Sequence, residues 1–217
     1  MRRRLSIAIL LAAWLAATAR AEILDRIAVS VGSRVITETD LGREIRITAL
    51  LNNQKPDFSP AAKRQAAERM VDQTLVRSEL EASRYLPPSA AETDAALAEE
   101  KARFGDDAAY RRTLAEYGVS EDDLKARLTW QLTLLRFIDV RFRPGIQIGD
   151  QEIRKYFDEH LRAVLEQAHP GQTPSLDEQR AGIEQTLISQ AADAQVEQWL
   201  KEAHSRTRIQ YHDEVFR

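Results

Sequence analysis

The chain has 217 residues, with 34 acidic against 31 basic side chains, a formal net charge of −3 and no cysteine. A net-negative surface lacks the basic face that a phosphate backbone demands, which argues against nucleic acid as a partner, and it offers no polybasic patch to anionic lipid. Without cysteine there is no disulfide framework, no thiol nucleophile and no lipid attachment point behind a signal, so the fold has to stand on its apolar core.

Residues 1–21 carry the three parts of a cleavable signal peptide. Arg2, Arg3 and Arg4 form a basic start, and Leu5 to Ala17 an uncharged apolar run. Two small-residue cleavage signatures follow, Ala17-Thr18-Ala19 and Ala19-Arg20-Ala21, the second favoured. The run is shorter than the roughly 20 apolar residues a membrane span needs. Export, with no stable membrane insertion after cleavage, is the expectation. Removing the segment takes away four arginines and no acid, leaving 27 basic against 34 acidic groups.

Residues 23–31, ILDRIAVSV, place Ile23, Ile27, Val29 and Val31 on mostly alternating positions, as a half-buried strand does. Gly32-Ser33 predicts a tight turn and Arg34-Val35-Ile36 a short return strand. Thr37-x-x-Asp40 then reads as a capping box opening a helix to about Leu51. After the loop NNQKPDF, Ser59-Pro60 starts a second helix with Ala67, Met70, Val71 and Leu75 on one face, which Pro87-Pro88 stops. Ser89 opens a third helix ending near Gly105, and a fourth from about Asp106 carries Tyr110, Leu114 and Tyr117 before Gly118 terminates it.

Ser120 caps the longest apolar helix, in which Leu124, Leu128, Leu132, Leu135, Ile138 and Phe142 recur at steps of three and four. Trp130, Leu134 and Phe137 form a second stripe, well away from the first around the helix. Such a helix is either central in the core or turns one face to a partner. Arg143-Pro144-Gly145 breaks it, Ile146-Gln147-Ile148 reads as extended, and Asp150 caps a helix carrying Ile153, Tyr156 and Phe157. Periodicity fades from about His160 to Pro174, where HPGQTP marks a linker. Ser175 caps a long helix from Leu176 to about Ala203, and RTRIQYHDEVF reads as a final strand that pairs with the N-terminal hairpin.

Motifs that carry chemistry are scarce. His160, His169, His204 and His212 stand at no metal-ligand spacing, and no nucleophile elbow, phosphate-binding loop or dinucleotide fingerprint occurs. Acidic runs such as Glu99-Glu100 and Glu121-Asp122-Asp123 fall where solvated helix faces and caps fall. No catalytic residue, metal or cofactor is expected.

IAVSVGSRVITETDL, RMVDQTLVRSELEASRYL and EYGVSEDDLKARLTWQLTLLRFID together resemble the N-terminal chaperone domain of the periplasmic survival protein A (SurA) family. In that family a strand pair followed by V-I-T-x-x-D-L, here Val35 to Leu41, leads into a helical module. The likeness covers most of residues 22–160, and the terminal helix with RIQYHDEVF is similar to the family's returning C-terminal segment. Members commonly carry parvulin-type prolyl isomerase domains in between, whereas here only residues 161–174 occupy that place, too few to fold as a domain.

The resemblance implies a mainly α fold: a helical domain over 22–160, completed by 175–217 through a small sheet of the N-terminal hairpin and C-terminal strand. It also implies an ATP-independent holdase for unfolded outer-membrane or exported polypeptides, without isomerase activity. The alternatives are a prolyl-isomerase-related protein and a dedicated subunit of an envelope complex. For a client groove the candidates are Trp130, Leu134 and Phe137, bordered by Tyr110, Tyr117 and Tyr156, although core packing is the simpler account of all six.

Overall fold

The computed structural model describes residues 25–83, 85–168 and 175–217. The expected signal peptide, Ile23 and the HPGQTP stretch from His169 lie outside the described residues. Strand β1 (Ile27–Val31) turns into β2 (Arg34–Thr37). Helices α1 (Glu38–Leu51), α2 (Pro60–Ser83), α3 (Ala90–Ala102), α4 (Asp107–Tyr117) and α5 (Glu121–Arg141) follow. After a 3₁₀ turn at Arg143–Gly145 come α6 (Asp150–Tyr156), a π-helical turn (Phe157–Leu161), α7 (Arg162–Ala168), α8 (Leu176–Arg206) and β3 (Ile209–Tyr211). The fold is mainly α with one small antiparallel sheet, as the sequence predicts.

The sheet order is β2-β1-β3, so the N-terminal hairpin does receive the C-terminal strand. Val29 stands opposite Tyr211, Ser30 opposite Gln210 and Val31 opposite Ile209. Gly32 adopts φ +58°, the positive value a two-residue hairpin turn needs, and its N–H donates to Arg208 O at 2.9 Å. The expected final strand ends at Tyr211: Asp213–Phe216 coils into a 3₁₀ turn instead. The turn drops Val215 into the core beneath the sheet, beside Val29, Leu41, Ala67 and Val71.

Caps set where the helices begin. Thr37 and Asp40, Ser89 and Glu92, and Ser120 and Asp123 each form a reciprocal capping box at the starts of α1, α3 and α5. Gly118 closes α4 in the left-handed conformation at φ +63°.

Helix α5 resolves the puzzle of its two stripes by changing partners along its length. Leu124 and Leu128 pack with Ile47 and Leu50 of α1, Leu97 of α3 and Leu114 of α4. From Trp130 on, through Phe137 to Phe142 at the helix end, the apolar side chains join Val76 of α2 and Ala192 of α8. The helix is therefore central, and the first stripe surfaces at Leu135, which is 60% exposed.

The segment expected as a linker from residue 161 is helical as far as Ala168. Leu161 and Leu165, one turn apart, lie in a separate apolar cluster with Leu176 and Leu187 of α8, which gives this stretch a face to bury. Among the described residues, no helix is long and apolar enough to cross a membrane.

Candidate functional site

The six residues singled out from the sequence do not form one surface. Phe137 is fully buried, Trp130 is 6% exposed and Tyr110 is 2% exposed, so these three are core. Phe137 meets Tyr85, Phe142 and Trp199 edge-on, with ring centroids at 5.4, 5.5 and 5.7 Å, an arrangement the opposed ring edge and face favour. Leu134 is half-buried in the same cluster. Tyr110 and Tyr117 belong to the cluster of α1, α3 and α4, and Tyr156 to that of α6 and α8, its ring 4.8 Å from that of His160. The stripe of Trp130, Leu134 and Phe137, which the sequence leaves open between client groove and core, is the one α5 uses to hold α2 and α8.

Helices α5 and α2 meet along a seam that carries two openings to solvent. Met70, Gln73, Arg77, Leu80 and Glu81 recur at helical spacing along α2, and Ala126, Arg127, Trp130, Thr133 and Phe137 do so along α5. Two depressions open along this seam in succession.

The one further along both helices is apolar, a groove of about 360 Å³ between Leu80, Tyr85, Leu86, Pro87, Thr133 and Arg136, with Phe137 closing it from beneath. Leu86 is 81% exposed, the largest value among the large apolar side chains of the described residues. Prolines hold the strand of chain that carries it: Pro87 and Pro88 keep residues 85–89 out of helix, and Arg136 fixes the backbone by donating to Pro87 O at 3.1 Å. Glu92 accepts from the Ser89 N–H and hydroxyl while pairing with Arg136, and these contacts hold its carboxyl below the usual range.

The earlier depression is charged. At its base Glu44 of α1, with a side chain 8% exposed, accepts two hydrogen bonds from Arg127 of α5 at 2.7 and 2.8 Å. Thr48 donates to the same carboxylate at 3.3 Å. Burial raises the Asp123 pKa, but the Ser120 hydroxyl and N–H, with Arg43 beyond them, outweigh it and leave the group lowered. Arg77 stacks its guanidinium carbon 4.2 Å from the Trp130 ring centroid.

Sequence reading missed Leu80, Tyr85, Leu86 and Arg77. Tyr85-Leu86 directly before Pro87-Pro88 is an apolar pair at a place that cannot continue a helix, which is the one local sign available. Among the described residues no group of three histidine or acidic side chains stands where a metal ion would be held. Compared with known proteins, the chain matches no family model, and no curated protein is significantly similar to it.

Proposed function

We propose that the protein is an ATP-independent holdase of the survival protein A type, without isomerase domains, that binds unfolded outer-membrane or exported polypeptides in the periplasm. The observation that supports this reading is the apolar groove of the α2–α5 seam, held open by Pro87 and Pro88 with Leu86 standing into solvent. An open groove with one exposed apolar anchor suits many sequences bound weakly, because it asks for apolar side chains and not for one shape. Holding needs no covalent chemistry: a protein that binds the unfolded form lowers the free concentration from which aggregates grow.

The test is light scattering from a denatured outer-membrane barrel protein diluted into buffer with the purified protein. Suppression near equimolar ratio is expected. Leu86→Asp is expected to weaken it about tenfold, the worth of one buried leucine, with an unchanged melting temperature. No suppression at any ratio overturns the reading.

A further inference from the structure

One helical turn toward the start of α2 and α5, the seam continues from the apolar groove into the charged pocket, of about 210 Å³. Gln73 and Arg77 face Arg127 and Trp130 across it, with Ile47 and Met70 on its apolar side. Its acids are all engaged. Asp40 and Asp123 share Arg43 at 3.3 and 3.2 Å, while Glu44 holds Arg127, with Arg69 4.0 Å away.

Of the arginines lining the pocket, that leaves Arg77 with no carboxylate at ion-pair distance among the described residues. Its nearest acid on the same helix face, Glu81, is paired with Arg34. A guanidinium laid on an aromatic ring keeps its in-plane N–H donors for another partner, and a planar carboxylate matches that fork. Burial and the charge of Arg34 lower the Arg77 pKa, and the charge of Glu81 offsets them only in part.

We propose that this pocket receives a carboxylate borne on an apolar group, namely the terminal carboxylate of a bound polypeptide, with Arg77 as its partner and Ile47, Met70 and Trp130 around the last side chain. The assignment rests on the polypeptide-holding reading and names what that seam recognises. The cavity is smaller than the roughly 300–1,000 Å³ of small-molecule sites, which fits one residue and not a cofactor. Arg77 and Leu80 are three residues apart on α2, about 4.5 Å of helix rise, and an extended chain advances about 3.3 Å per residue. A terminal residue in the pocket thus lays the residue one or two positions before it on the apolar groove. A glutamate or aspartate side chain within a polypeptide carries the same carboxylate, so the two sources have to be separated by measurement.

Isothermal titration of the purified protein with three short peptides does this: Gly-Ser-Leu-Ser-Leu with a free terminus, the same peptide as its C-terminal amide, and the amidated Gly-Leu-Ser-Glu-Gly. The free acid is expected to bind about tenfold more tightly than its amide, the worth of one charge-assisted pair. Arg77→Gln is expected to abolish that difference without lowering amide binding, and Arg77→Lys to keep part of it. A glutamate peptide that binds as well as the free acid assigns the pocket to side-chain carboxylates and overturns the terminal assignment. Equal binding of acid and amide, or an acid preference that survives Arg77→Gln, overturns the pocket altogether. If no peptide binds, the pocket also falls; continued suppression of barrel-protein aggregation then leaves the holdase reading standing, and its absence removes both.

Discussion

The Ser30 hydroxyl lies 3.2 Å from Nε2 of His212, across a chain separation of 182 residues. Beside it the His212 N–H donates to Ala28 O at 2.9 Å, so the hairpin and the C-terminal segment are fastened by backbone and side chain together. Val215 completes the core that β1 covers. Deleting residues 207–217 is therefore expected to unfold the sheet and the α2 face beneath it. Thermal denaturation followed by circular dichroism checks this, and an unchanged melting temperature would refute the part assigned to β3.

Truncating Phe137 to alanine removes a fully buried ring from among Tyr85, Phe142 and Trp199. A loss of about 3–5 kcal/mol is expected, with folding and client holding falling together. Leu135→Ala, on the exposed side of the same helix, is expected to cost less than about 0.5 kcal/mol. Urea denaturation of the two variants measures the contrast.

Glu44→Gln leaves the Arg127 guanidinium, whose side chain is 16% exposed, without its counter-charge. Removing one partner of such a pair is expected to destabilise by about 3 kcal/mol, while Glu44→Met with Arg127→Met is expected to cost less because no charge is left behind. The same denaturation experiment decides; a double variant as unstable as the single would mean that packing, and not charge, holds the site.

Acid weakens the caps. The Asp123 carboxyl is held below its free value of 3.8, and Glu92 below 4.5. A carboxylate lowered in the folded state stabilises the fold above its unfolded pKa, and that contribution is lost as pH falls through the folded value. The melting temperature is expected to stay level between about pH 7 and 5 and to drop below about pH 4. Asp123→Asn should melt lower at neutral pH and converge on the parent protein in acid, as a series of melts would record.

Local rules made the element order legible in the sequence. Thr37, Ser89 and Ser120 cap helices where their spacing to Asp40, Glu92 and Asp123 says they do, because a capping box involves only neighbours in the chain. The pairing of β3 with the hairpin followed from the lack of any other strand. Periodicity alone left the burial of α5 open: Trp130 and Leu135 are both apolar at helical spacing, and only the positions of α2, α3 and α8 decide that one is covered and the other is not. The seam was invisible for the same reason, since Arg77 and Trp130 are distant in sequence and meet through packing. Residues 161–168 show the opposite failure, a helix whose burial against α8 is too slight to leave a strong pattern.

The middle strand of the sheet is also the first to be made. A ribosome delivers β1 and β2 before every helix of the described residues, but the open edge of β1 finds its neighbour only when Ile209–Tyr211 emerge. Throughout that interval the domain carries an unpaired strand edge and an unfilled place where Val215 will sit. Closure therefore waits on the last strand: until Ile209–Tyr211 arrive, the edge of β1 is open to any other strand that can pair with it.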